Sequence, residues 1–179
     1  MIIKSFELEK IDLKNKHFFL LYGENQGYKN ETIEKKFKNN YSSNTYNYDE
    51  SDVLNNKTNF FNDILSKSFF ENEKLIIVNR VSDKLIDIIE EIIEKKIVDL
   101  TIVLNANILE KKSKLRSFFE KNKETICVPF YADNNQTLMG IVNNFFRKNK
   151  IGISQQAINL IVERCRGDRQ NLNNEIQKV

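Results

Sequence analysis

Short apolar runs alternate with helically spaced apolar positions as far as Pro129. Residues 17–22 (HFFLLY), 75–78 (LIIV), 100–104 (LTIVL) and 125–128 (TICV) are almost wholly apolar. Runs of that length and character predict strands buried on both faces. The tyrosines alternating through 44–48 predict a further, half-exposed strand. Between the runs the spacing changes to that of helices. Ile33 and Phe37 mark a polar surface helix over 28–39. Phe60/Ile64 and Phe61/Leu65 mark one over 59–66. Residues 83–95 (DKLIDIIEEIIEK) are amphipathic, with Ser82 placed to cap them. Leu115, Phe118 and Phe119 form the inner face of a basic helix over 111–121, and Pro129 stops the last strand. Beyond it, helices are predicted over 136–149, 154–165 and 168–179.

Strand–helix alternation with apolar strands defines βαβ units, hence an α/β fold: a parallel sheet with helices on both faces. The change to pure helix implies a small all-helical second domain. The boundary is expected at residues 138–140, giving domains 1–139 and 140–179. The last helix runs to residue 179 without a stop signal, so the chain is expected to continue into a further domain.

Composition narrows the function. The chain has 179 residues, 40% of them hydrophobic, with five Gly and one Pro. That supports a real core and argues against a turn-dense β-sandwich. No apolar stretch is long enough to span a membrane, and the charged N-terminal segment is no signal peptide. Two cysteines point to a reducing, cytoplasmic setting. With a single histidine, they leave no His/Cys metal set. The net charge of +3 is unevenly spread: residues 140–179 carry +4 and residues 1–139 carry −1. Arg147, Lys148, Lys150, Arg164, Arg166 and Arg169 are the candidates for proximity to DNA. The wealth of Asn, Ile and Lys is what an AT-rich genome produces, so most lysines are read as solvated surface.

One near-motif carries information. Residues 23–30 (GENQGYKN) stand where a phosphate-binding loop would follow the first strand. Against G-x-x-x-x-G-K-[ST], Gly23 and Lys29 are in register. Tyr28 replaces the second glycine and crowds the phosphate approach. Asn30 replaces the hydroxyl that ligates Mg²⁺, and Glu24 adds negative charge. The apolar strands end in Asn79-Arg80 and Asn105-Ala106-Asn107, without the acid a hydrolysing enzyme needs. A strand–turn–helix that binds no nucleotide is expected, with no cofactor. His17 at a strand start and Cys127 within a strand read as structural, and Glu90, Glu91 and Glu94 as a solvated face. No nucleophile, base and oxyanion donor come together, so no catalytic residue is assigned.

Four runs carry a family resemblance: residues 20–24 (LLYGE), 68–78 (SFFENEKLIIV), 109–121 (LEKKSKLRSFFEK) and 167–176 (GDRQNLNNEI). Together, and in this order, they resemble the delta subunit of the bacterial DNA polymerase III clamp loader. The resemblance implies an AAA+-like domain and a helical lid, with a C-terminal collar domain lying outside this chain. It also implies a non-catalytic subunit of a polymerase holoenzyme that binds and opens the sliding clamp for loading on primed DNA. Sibling loader subunits would be partners mainly through the collar, and no membrane is involved. The family's clamp contact maps onto Phe69 and Phe70.

Read alone, Phe69 and Phe70 sit among Ser66, Lys67, Ser68, Glu71, Asn72 and Glu73. Phe69 extends the Phe61/Leu65 stripe, and Phe70 falls off it and should protrude as an interface residue. Two other functions compete: an ATPase with an atypical loop, and a free-standing DNA-binding module. Tyr28, Asn30 and the missing acids count against the first. The second lacks aromatic stacking positions among its basic residues.

Overall fold

The computed structural model describes residues 1–11, 16–41, 44–65, 73–97 and 99–178. They form two compact units. The first comprises Met1–Gly23 and Thr32–Pro129, and the second Glu24–Glu31 and Phe130–Val179.

The first unit is built on five parallel strands: β1 (Phe18–Tyr22), β2 (Thr45–Asp49), β3 (Lys74–Val81), β4 (Leu100–Ala106) and β5 (Thr125–Pro129). Their order across the sheet is β2-β3-β4-β1-β5. Every residue of β1, β4 and β5 is buried, as a sheet covered on both faces requires. Edge strand β2 is half-buried, as its alternating tyrosines predict.

The helices of this unit are α2 (Glu50–Asn55), α3 (Lys57–Leu65), α4 (Ile86–Glu94) and α5 (Lys114–Lys121). Register partners share a face, so Leu20, Ile76, Val78, Ile102, Leu104 and Cys127 line one side of the sheet. Phe60, Phe61 and Ile64 of α3, Ile88, Ile89, Ile92 and Ile93 of α4, and Leu115 and Phe119 of α5 join them in one cluster. Burial there pushes the Cys127 thiol up to about 12, which leaves it a small hydrophobe rather than a nucleophile. On the opposite face Phe19 meets Phe37 edge-on, with centroids 4.9 Å apart, and the Tyr41 hydroxyl lies 2.8 Å from Thr101 Oγ1.

Several expected bounds shift for local reasons. α5 begins at Lys114 rather than 111 because Ser113 caps it, its hydroxyl accepting from Arg116 N–H. Leu65 is 49% exposed, so the apolar stripe of α3 ends at Ile64. Phe69 and Phe70 themselves lie outside the described residues.

The second unit holds α1 (Gln26–Thr32) up to Glu31, together with α6 (Asn135–Lys148), α7 (Gln155–Cys165) and α8 (Arg169–Ile176). The helical run of α1 continues in the first unit as a π-turn over Ile33–Phe37. Leu138, Val142, Phe146, Ile158, Val162, Cys165, Leu172 and Ile176 form the second core. The compact units divide after Pro129, whereas the expected boundary was 138–140; that position falls mid-way along α6, which is uninterrupted through Gly140. α8 ends at Ile176, before the expected 179. Among the described residues no helix is long and apolar enough to cross a membrane.

Asp83 ties two elements of the first unit together. Its carboxylate accepts from Ser113 Oγ and from the N–H groups of Lys114 and Leu115, at the start of α5. Burial works to raise its pKa, but these hydrogen bonds outweigh it, and the carboxyl titrates below its ordinary 3.8. On acidification the unfolded chain takes up this proton first. The stabilisation is therefore full above 3.8 and fades as pH falls through the lower folded value. Asp83→Ala is expected to lower unfolding free energy by about 1–2 kcal/mol at pH 7, the range for losing a helix cap. The deficit should shrink in urea titrations at pH 3; a deficit unchanged by pH would show that Asp83 acts through packing alone.

Candidate functional site

The strand ends of the first unit come first. Gly23 follows β1 with φ 125°, a left-handed geometry that glycine adopts without penalty, and its N–H donates to Asn107 O at 3.0 Å. At the C-terminal ends of β3 and β4, Asn105 Nδ2 donates to Asn79 Oδ1 at 3.0 Å. Two amides thus stand at strand ends where a hydrolase needs a carboxylate for Mg²⁺. Arg80, at a bulge in β3, is left-handed (φ 57°) and pairs with Asp49.

Residues 24–31 belong wholly to the second unit. Asn25 caps α1: its Oδ1 accepts from Tyr28 N–H at 3.0 Å. Its Nδ2 donates to Tyr131 O at 3.0 Å and to Asp133 Oδ2 at 2.8 Å. Asp133 also receives both prongs of Arg169, Nε on Oδ2 and Nη2 on Oδ1, each at 2.7 Å. This is a bidentate fork between two buried side chains. Glu31 lies 3.5 Å from the third guanidinium nitrogen.

Tyr28 is part of the same assembly. Its ring meets Phe130 edge-on with centroids 5.0 Å apart, and the Arg169 guanidinium lies 3.7 Å from its centroid. A Cβ on Gly27 would stand 2.5 Å from Gln170 N, so only glycine lets α1 approach the start of α8 this closely. Asn30 accepts from Gln26 Nε2 at 2.8 Å, an exposed contact within α1. Lys29, the P-loop lysine by register, is fully buried, and burial pushes its ammonium down to about 8. A cleft of about 510 Å³ is lined by Glu24, Asn25, Gln26, Gly27, Asn30, Ala132, Arg166, Gly167, Asp168 and Gln170.

Of the six expected DNA-proximal residues, Arg147, Lys148, Lys150, Arg164 and Arg166 are exposed. Arg169 is not: it is 8% exposed and engaged by Asp133, because α8 directs it onto Tyr28. Its carbon-copy charge count in the sequence concealed a structural role. Sequence reasoning also passed over Asn25, Gly27 and Asp133. A glycine inside a helical run was the available signal for Gly27, and nothing in the spacing pointed to Asp133. His17 precedes β1, and its Nδ1 is buried without a hydrogen-bond partner. Among the described residues no His/Cys/Asp/Glu group could hold a metal ion.

A five-stranded parallel sheet in this order, helices on both its faces and a separate helical unit define an AAA+-like fold. The chain belongs to the DNA polymerase III delta subunit family, whose pattern residues 19–130 match. Among solved structures it is similar to the DNA clamp loader delta protein of Bacillus subtilis, with a TM-score of 0.60 and 20% identity over 97% of this chain. The chain spans 56% of that protein's length. It is also similar to the Thermotoga maritima RuvB Holliday junction branch migration motor (TM-score 0.59, 13% identity, 90% of this chain and 53% of that one). Domain III of the Thermotoga maritima replication initiation protein DnaA matches at a TM-score of 0.50 and 13% identity, over 97% of this chain and 79% of that one. No curated protein gave a significant match.

Two outcomes are expected of this site. Titrating Mg·ATP into the protein should give no heat of binding, because Tyr28 and its Arg169 partner stand at the degenerate loop; a micromolar dissociation constant would refute that. Arg169→Met should strip Asp133 of its buried counter-charge and destabilise the second unit by about 3–5 kcal/mol, the range for breaking a buried pair. Adding Asp133→Leu to that variant should recover part of the loss in urea unfolding, and a strictly additive double variant would show that the two side chains do not act as a pair.

Proposed function

We propose that this chain is a non-catalytic clamp-loader subunit that binds the ring-shaped sliding clamp and opens it, so that the ring can be placed on primed DNA. It would do so as part of the DNA polymerase III holoenzyme in the cytoplasm, with sibling subunits supplying ATP. The observation that carries this reading is the family match over 19–130, on a chain whose loop positions are Tyr28 and Asn30. Asn79 and Asn105 are its strand-end amides, which suits a subunit retained for contact rather than hydrolysis.

Phe69 and Phe70 are the proposed clamp contact, by their place in the family's pattern and by their polar neighbours in sequence. Arg147, Lys148, Lys150, Arg164 and Arg166 would lie near DNA and hold it weakly, through salt-sensitive phosphate contacts without sequence preference.

Surface plasmon resonance with the cognate clamp tests the contact. Truncating a buried interface aromatic typically costs about 2 kcal/mol or more, which is roughly thirtyfold in affinity. Phe70→Ala should weaken clamp binding by at least that factor with its melting temperature unchanged. Wild-type affinity in folded Phe69→Ala and Phe70→Ala variants would remove both residues from the interface.

A further inference from the structure

The cations of the first unit are not evenly spread. Residues 109–124 carry six Lys or Arg against three acids, a net +3, within a stretch 1–139 whose total is −1; the remainder of that stretch is therefore −4. They form the turn before α5, α5 itself and the turn that enters β5. Lys111, Lys112, Lys114, Lys121 and Lys123 are all exposed. Lys114 and Lys121 are two helical turns apart, so they share one side of α5 at a separation of about 10 Å. Lys111 and Lys112 extend the row at one end. Lys123 extends it at the other, where Lys16 Nζ donates to the Lys123 carbonyl at 2.7 Å.

The acids beside this row are mostly spent elsewhere. Glu120 holds Arg116 Nε at 2.8 Å. The Asp83 carboxylate is taken up by Ser113 Oγ and by the N–H groups of Lys114 and Leu115. Glu110 meets Lys112 at 2.9 Å, but both side chains are strongly exposed, and such a pair contributes little. Among the described residues no ion pair engages Lys111, Lys114, Lys121 or Lys123. Asp83 and Ser113 also close the first turn of α5, so the attraction for an anion comes from side-chain ammonium groups and not from free helix N–H groups.

We propose that the outer face of α5, with Lys111, Lys114 and Lys121 at its centre, is a contact surface for a nucleic-acid backbone, separate from the basic residues of the second unit. A row about 10 Å long spans roughly three phosphates of one strand, which follow at about 3.4 Å of helix axis each. Lysine is a mobile point charge without the planar fork that reads a base edge, so the contact is independent of sequence. A lipid surface fits less well. The apolar side of α5 is closed into the sheet core, with Leu115 and Phe119 fully buried, and cannot enter a bilayer. The inference rests on the reading that the chain works on DNA, and it does not need the clamp contact.

The experiment measures anisotropy of a short fluorescein-labelled duplex of arbitrary sequence, titrated with protein across a series of salt concentrations. Wild type is compared with a triple variant of the row, Lys111→Gln, Lys114→Gln and Lys121→Gln. A second triple, Lys10→Gln, Lys35→Gln and Lys96→Gln, removes the same charge from exposed positions elsewhere in the first unit. The row triple should bind at least about tenfold more weakly at low salt, and its slope of log affinity against log salt should be shallower by about 2–3. The second triple should stay within about threefold of wild type, and both should keep the wild-type melting temperature, because every replaced side chain is exposed. Equal weakening in both triples would show that binding follows net charge alone and would overturn the surface. So would wild-type affinity in the row triple, or no duplex binding by the wild type; the resonance measurement on the clamp decides the clamp reading separately. Binding of the wild type to phosphatidylglycerol vesicles, lost in the row triple without any duplex binding, would assign the row to lipid instead. Loss of clamp affinity in the row triple with duplex binding intact would assign it to the clamp.

Discussion

The second unit depends on one interaction, the fork between Arg169 and Asp133. Burying two charges is expensive, and attraction offsets the loss of water only when geometry and hydrogen bonding are good. Here both prongs are 2.7 Å long, Asp133 takes a further bond from Asn25, and the guanidinium face rests on Tyr28. Residues far apart in sequence, the turn at 24–31, the segment after Pro129 and the start of α8, become one body through this pair. Gly27 is the steric counterpart, since any side chain there would strike the backbone of Gln170. The stretch 24–31, which overlaps the near-motif of a phosphate-binding loop, packs against the segment after Pro129 and the start of α8. Tyr28 is then more than an obstacle, because it is the surface on which Arg169 packs.

Covering a parallel sheet on both faces is the constraint that made the fold readable. It demands runs such as FFLLY and TIVL with no polar alternation, and these stand out in a chain rich in Asn and Lys. Helix stripes were legible for the same reason: α4 turns Ile88, Ile89, Ile92 and Ile93 inward at the spacing the sequence displays. Ser82 was readable as a cap because capping is local, and its hydroxyl does accept from Lys84 N–H.

What escaped the sequence is what depends on distant partners. Arg169 looks like any other base of a basic tail, and its burial is decided by an aspartate thirty-odd residues earlier that no periodicity marks. The membership of residues 24–31 in the helical unit could not be read from a turn that directly follows a buried strand. Lys74 was invisible for a related reason. At the head of the apolar run LIIV it resembles a solvated flank, and only the third dimension brings the carbonyl of Asp63 in α3 to its ammonium. Charges are the residues most misjudged from sequence, because hydration is their default and every exception is long-range.

The carboxyl ends of the strands in this α/β fold carry amides. Catalysis asks for carboxylates and hydroxyls at the carboxyl ends of the strands, aimed at a metal and a phosphate. At those ends this chain has Asn79 bonded to Asn105, neutral groups that hold each other. Binding asks for something else, a presented element whose anchors do not have to be ordered at the moment of contact. Two buried cations of this chain have such directed partners: Lys74 at the start of β3 donates to the carbonyl of Asp63, and Arg169 at the start of α8 pairs with Asp133. Each joins elements by a charge-assisted bond, where an apolar contact would have held them with less directional precision.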